Sequence, residues 1–587
     1  MSTHPHSSRK LTQDFPANHP LKEPQAKSQT SEPSALNRRE FFVRVSGATA
    51  AAGAVALPAL LGNKSVAVEA AKIVADSAQQ RSVQAYRLRI SAAQDEFQQK
   101  PPPHPDNDDE DHYPKRIGNY SKGLPHNDLG EVDPAAYDAL LRALHTGDPA
   151  EFEAIPLGCP PPHRNLTNPQ AGLAYDLEGG DAAAFYMPPA PAFASAWRAG
   201  EIVENYWMSL LRDVPFTQYG TDPLAQVAAA DLSALSDFRG PKVNGVVTPG
   251  TLFRNLAPGD TVGPWVSQFF LRPCPFGANF VEQRIRTTLP AIDHMTEYPQ
   301  WLNIQRGFPA AETQQYDPVR RFLRTGRDIA QWVHVDVLYQ AYFHALLILL
   351  TPPSDDPLSG GIGAPFDAGN PYLASANQDG FTTFGGPHIA TLLTEVASRV
   401  LKAQWFQKWY VHRALRPEAF AGRVHNHSSG AANYPLHRDV LHSAAVQTVF
   451  LKFGSYLLPQ VFVEGSPLHP SYGSGHATVA GACVTILKAW FDESYVIPNP
   501  VEPSPDGLSL RPYNEQPLTV GGELNKLASN VAFGRNIAGI HWRSDAIEAM
   551  KLGESAAIRI LRDQRLCYNE RFDGFTFTSF DGTAVRI

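Results

Sequence analysis

Cysteine is scarce: Cys159, Cys274, Cys483 and Cys567 are the only four in 587 residues, and no two stand as a CxxC pair. That spacing argues against a zinc or iron–sulfur site, and a chain of this size has interior enough to fold without disulfides. Cys483, inside an apolar stretch, reads as a small core residue. Blocks of Lys or Arg are missing too. With 50 basic and 58 acidic residues the formal net charge is −8, which argues against nucleic acid as a partner. Beyond residue 70 no apolar run is long enough to span a bilayer, no internal repeat is evident, and strand signals are few. What is present is a 43% hydrophobic, 18% charged composition whose periodic segments are helical. The expected fold is mainly α: a helical bundle with long loops and few short strands.

Three regions follow from the pattern. Residues 1–70 read as a leader: Asn37-Arg38-Arg39-Glu40-Phe41-Phe42 precedes a weakly apolar small-residue run over 45–61, and Val68-Glu69-Ala70 offers a cleavage site. Adjacent arginines there mark the twin-arginine pathway, so the expected location is periplasmic or extracellular. Residues 71–320 form an irregular, Pro- and Gly-punctuated region with helices expected over 83–95, 134–145, 197–212 and 224–235. Residues 321–587 read as the catalytic bundle, with helices over 328–350, 388–415, part of 440–461, 477–491, 523–533 and 544–562, a loop over 418–438, and a hairpin in 574–587.

The chemistry concentrates in the last region. At 470–480, turn residues run into an apolar helix through Ser474, Gly475 and His476, aiming free backbone N–H groups and the positive helix end at an oxyanion. Lys408 and Arg416 lie eight residues apart, about 80° around a common helix. Arg535 and His541 are six apart with Gly539 between them. Fixed arginine forks, a lysine point charge, a helix start and two histidines suit one tetrahedral oxyanion. Each residue alone has a bland reading as a solvated cation or core histidine. Together, at Gly- or Pro-marked segment ends, they are hard to explain that way. Of Asp328, His334 and Asp336, one aspartate is placed to orient Lys408 or an arginine, with helix capping by Asp328 the equal alternative. His412, His425, His427 and His437 read as structural.

Lys408, Arg416-Pro417, the run from Pro470 to His476, Gly534-Arg535 and His541 resemble the three-part signature of the vanadium-dependent haloperoxidases and the type 2 phosphatidic acid phosphatase superfamily. Lys408-Trp409-Tyr410-Val411-His412-Arg413, Glu464-Gly465-Ser466-Pro467-Leu468-His469-Pro470 and Gly475-His476-Ala477-Thr478-Val479-Ala480 are closer still to the red-algal and cyanobacterial bromoperoxidases, and the likeness extends over 165–179 and 196–217. The resemblance implies that His541 coordinates vanadium through Nε2. Lys408, Arg416 and Arg535 would neutralise the vanadate oxygens, Ser474 and the Gly475 N–H would complete the hydrogen bonds, and His476 would be the acid–base residue.

Hydrogen peroxide would oxidise bromide or another halide to hypohalous acid or its equivalent, leading to halogenation of an organic acceptor, with vanadium(V) as a Lewis acid. His469 matches the extra histidine of bromoperoxidases, and Trp405 departs from the red-algal arginine, so both bear on halide choice. The resemblance also implies a homo-oligomer, and phosphate is able to occupy the vanadate site. Two other readings share the cage: an exported acid phosphatase with a His541 phospho-intermediate, and a noncatalytic anion-binding protein.

Overall fold

The computed structural model describes residues 78–356 and 358–587; the leader expected over 1–70 lies outside them. The principal helices are α1 (Ala78–Gln98), α2 (Pro134–Thr146), α3 (Ala196–Leu211), α4 (Pro223–Ala234), α5 (Gly326–Val335), α6 (Gln340–Leu350), α7 (Gly386–Phe406), α8 (Pro417–Ser428), α9 (Ala444–Phe453), α10 (Gly475–Trp490), α11 (Val520–Ile537) and α12 (Arg543–Arg565). Among the described residues, strands occur as three antiparallel pairs of three-residue strands: β1–β2 (Cys274–Phe276, Asn279–Val281), β3–β4 (Val501–Pro503, Leu510–Pro512) and β5–β6 (Thr576–Thr578, Ala584–Arg586). The fold is therefore the expected mainly α bundle. Among the described residues no single helix is long and apolar enough to cross a membrane.

Helix α10 is the axis of the bundle. From Ala477 to Trp490 every residue is buried, and the helix packs chiefly on α12, α7 and α11. Two glycines let α10 and α12 touch. A Cβ at Gly481 would stand 2.0 Å from the Met550 carbonyl oxygen, and one at Gly553 2.0 Å from that of Thr478. Neither obstacle is a side chain that can swing away. The largest hydrophobic cluster runs from Ile117 to Ile587, with Trp207 of α3 and Trp542 before α12 both fully buried in it, so the interior continues across residue 320.

Three departures from the expected elements all help to place site residues. The helix expected over 328–350 is two, α5 and α6, bent by 100°; at the break Asp336 is extended, φ −65° and ψ 151°. The helix expected over 388–415 stops at Phe406 and widens into a π turn over Gln407–His412. Arg413 then takes a left-handed conformation, φ 38°. Lys408 and Arg416 consequently share no helix: Lys408 sits in the π turn, and Arg416 is the extended residue just before α8. Finally, 417–428 is helix rather than loop, with Pro417 opening α8 where its missing N–H costs nothing.

Candidate active site

The loop before α10, the π turn over Gln407–His412 and the starts of α8, α10 and α12 converge on one buried point. Lys408 donates to the carbonyls of Pro470 (2.7 Å) and Ser471 (2.9 Å). Arg416 donates to the carbonyls of His469 (2.9 Å from Nη2) and Ile540 (2.8 Å from Nη1), and reaches the His541 ring at Nε2, 2.9 Å away, and the His469 ring at Nδ1, 3.0 Å away. Arg535 donates from Nη1 to the Val333 carbonyl at 2.6 Å, while its buried Nε has no partner. Ser474 caps α10 by accepting from Ala477 N at 3.3 Å. Gly475 opens the helix, and a Cβ there would lie 3.3 Å from the Trp405 ring.

His541 is held by Asp545, one helical turn on. Nδ1 donates to Asp545 Oδ2 at 2.6 Å, and the same carboxylate accepts from Ser471 Oγ at 2.5 Å. A proton fixed on Nδ1 leaves the Nε2 lone pair presented to the cage, the state a metal-ligating histidine needs. Burial, then the charges of Arg416, Lys408 and Arg535, hold His541 well below the usual imidazole range. His469 is lowered in the same way by burial, Lys408 and Arg416. The cations pay for their crowding as well: burial and then Arg416 push Lys408 well down, and burial brings Arg416 and Arg535 to about 10. Lys408 and Arg416 face the buried Asp545, while Arg535 faces Asp336 and Glu464; the three cations also act on one another and on His541, a concentration of positive charge that an oxyanion would offset. The residues present therefore fit vanadate. Among the described residues no group of three His, Cys, Asp or Glu is placed to hold a metal, so a vanadium bound here would depend on His541 and its oxygens.

His476 stands apart from this cage. Its side chain is 25% exposed, and its Nε2 lies 2.9 Å from Asp336 Oδ1. It lines a cavity of ≈ 340 Å³ with Asp336, His334, Arg164, Phe462 and Arg535, so Arg535 joins cage to cavity. His334 stacks on Phe462, centroids 3.8 Å apart, and bonds Glu464 at 2.7 Å. Burial would raise Glu464, but that hydrogen bond and charge hold it down at about 2. The Trp405 ring lies 4.9 Å from the His469 ring and 5.8 Å from Lys408 Nζ.

Sequence reading grouped Lys408, Arg416, Arg535 and His541 with Ser474, Gly475 and His476 around one oxyanion; in the structure His476 lies on the cavity side instead, and His469, expected only to bear on halide choice, is the second ring that Arg416 touches. For Asp328 and Asp336 sequence reading offered orientation of Lys408 or an arginine, with capping by Asp328 as the equal alternative, and it gave Asp545 no role. Asp328 is a cap, in reciprocal hydrogen bonds with Thr325, and orients no cage cation; Asp336 and Asp545 are the carboxylates that hold the two site histidines. His425 and His427 accept backbone N–H groups of Tyr456 and Tyr434, and His437 caps a short helix. His412 is buried with neither ring nitrogen bonded. All four cysteines are free, and Cys483 is a buried core residue.

A buried strut was also missed. Lys122 Nζ donates to Glu418 Oε1 (2.5 Å) and to the carbonyls of Glu464 (3.0 Å) and Ser466 (2.7 Å), and Glu418 in turn accepts from Ser466 N (2.7 Å) and Oγ (2.7 Å). It ties the loop carrying His469 to the helix start carrying Arg416. Lys122 lies 296 residues before Glu418, and nothing local in the sequence announces the pairing.

A buried histidine whose Nε2 faces three cations beside a helix start, at the centre of an α bundle, is similar to the site of the vanadium haloperoxidase class. A family model described as the VCPO second helical-bundle domain matches residues 396–569. Vanadium-dependent bromoperoxidases of Corallina pilulifera and Corallina officinalis are 37% and 36% identical, over 83% and 88% of this chain and 92% and 100% of their own; one from Ascophyllum nodosum is 37% identical over 80% of this chain and 86% of its own. The structure of a second vanadate-dependent bromoperoxidase of Ascophyllum nodosum, a homohexamer, superposes with a TM-score of 0.82 at 32% identity, covering 90% of this chain and 94% of that one. The chain belongs to the vanadium-dependent bromoperoxidase family, and it is an enzyme.

Proposed function

We propose that this enzyme uses hydrogen peroxide to oxidise bromide, in preference to chloride, giving hypobromous acid or an equivalent that halogenates organic acceptors. The observation that carries this reading is His541 with Nε2 free of its proton inside a buried three-cation cage. His541 would hold vanadium, while Lys408, Arg416 and Arg535 offset the charge of the oxygens. The Ser474 hydroxyl and Gly475 N–H would donate at the helix start. Bound vanadate supplies Lewis acidity toward hydrogen peroxide. Lys408, inside hydrogen-bonding reach of the loop that carries His469, favours negative charge developing at the reacting oxygens. His476, kept in place by Asp336, takes up and returns the protons. His469 and Trp405 form the wall on which halide choice would depend.

The same charge and shape complementarity admits phosphate when vanadate is absent. Adjacent Arg38 and Arg39 support export by the twin-arginine route to a periplasmic or extracellular site, and the homohexameric relative supports a homo-oligomer. We place residues 1–70 as leader, 71–320 as a mixed helical and loop region, and 321–587 as the region bearing the site.

The test is bromination of an activated diketone by purified protein with bromide, peroxide and vanadate each added or withheld. Turnover that needs all three is expected. Phosphate-ester hydrolysis inhibited by vanadate, without bromination, would instead make His541 the nucleophile of a phosphatase, and anion binding without either reaction would leave a noncatalytic binding protein.

A further inference from the structure

Helix α1 has no buried residue along its 21 positions. Gln84, Ala85, Leu88, Ala92 and Glu96 are its half-buried side, anchored where Glu96 meets Arg559 at 2.5 Å. The opposite side carries Val83 (37% exposed), Tyr86 (62%), Ile90 (37%), the exposed Ala93, and Phe97 (90%). Their spacing is three, four, three, four, which is the a and d seam of a two-stranded coiled coil. It runs for roughly 21 Å at 1.5 Å per residue. A lone exposed aromatic would need no explanation, but a continuous apolar stripe backed by its own helix does.

The charges say what covers it. Arg81, Arg87 and Arg89 lie toward the start and middle of α1, and Asp95 and Glu96, the latter already paired with Arg559 of its own chain, lie near its end. Parallel pairing with an identical helix would set arginine beside arginine. Antiparallel pairing sets the arginine-bearing stretch of each helix toward the acidic end of its mate. We propose that the Val83–Tyr86–Ile90–Ala93–Phe97 seam docks antiparallel against the same seam of a second copy of this chain, about a two-fold axis passing near Ile90 and Ala93. Such an interface is self-complementary and closes. It identifies a contact surface within the homo-oligomer proposed above and rests on that reading.

Light scattering of the full chain, wild type beside Ile90→Lys/Phe97→Lys, tests it. The expected result is an oligomeric wild type and a variant at least two-fold smaller in mass, with bromination per subunit unchanged. Phe97→Lys alone serves if the double variant loses its near-ultraviolet circular dichroism, and Arg87→Glu/Arg89→Glu should also reduce the mass. A monomeric wild type would overturn the assembly reading and the seam with it. An oligomeric wild type whose folded variants keep its mass would overturn the seam alone, whether that side is covered by another part of the chain or by none.

Discussion

Two histidine–aspartate pairs flank the site, and they differ in everything except composition. His541–Asp545 is 2.6 Å long with side chains 2% and 0% exposed; His476–Asp336 is 2.9 Å long with side chains 25% and 6% exposed. In the first, the carboxylate takes Nδ1, and three cations suppress protonation at Nε2. In the second, the carboxylate takes Nε2 at the wall of a cavity. Surroundings, not residue type, separate the role proposed for His541, a metal ligand, from that proposed for His476, an acid–base group.

Substituting the two histidines should break the site in two different ways. His541→Ala should abolish bromination by removing vanadate binding itself, visible as loss of heat in a vanadate titration. His476→Ala should keep that heat and lower kcat by about 10²–10⁴-fold, the usual reach of general acid–base catalysis. Equal loss of binding in both variants would erase the distinction. The aspartates should repeat the contrast more weakly. Asp545→Asn should cost about 10–100-fold in vanadate affinity, as loss of a group orienting a metal-binding histidine does, whereas Asp336→Asn should act on kcat and its pH profile with affinity intact.

The strut behind the cage gives the next effect. Lys122 and Glu418 are fully buried. Lys122→Met alone should destabilise the fold by roughly 3–5 kcal/mol, because it leaves a buried carboxylate unpaired, and Lys122→Met/Glu418→Gln should recover part of that loss. Urea unfolding of both variants checks it; additive losses would mean that the pair carries no coupling. A smaller effect belongs to the halide wall. His469→Phe should shift the bromide-to-chloride rate ratio, and an unchanged ratio would remove His469 from halide choice.

Most of the cage was legible because its members lie in short, dense motifs at segment ends: Arg416-Pro417, Ser474-Gly475-His476, Gly534-Arg535. Helix periodicity found the bundle for the same reason, since α10 and α3 are apolar at nearly every turn. What could not be read was backbone geometry inside continuous helical patterns. Nothing in 388–415 signals that the helix opens into a π turn at Gln407, yet that turn is what frees Lys408 from the regular helix. The apolar run across 328–350 hides the 100° bend that delivers Asp336 to His476. Lys122, 296 residues before Glu418, depends on tertiary packing alone.

The cage keeps its histidines neutral by burial, and the same physics operates elsewhere without a ligand to serve. Burial lowers His344 of α6 to about 4, and His126 and His412 to about 3, from an ordinary 6.5. A depressed folded value means the unfolded chain binds the proton first, so each contribution to stability is full above pH 6.5 and is lost as pH falls toward the folded value. For His344 the loss is about 1.4 kcal/mol for each pH unit crossed in that window. His344→Leu should therefore flatten the fall of unfolding free energy between pH 6.5 and pH 4 by up to that slope, measured by urea titration at successive pH values. A wild-type slope in the variant would mean that the His344 ring takes up its proton inside the fold, and that burial alone does not keep a histidine neutral here. The neutrality of His541 would then rest on its three cations rather than on its depth.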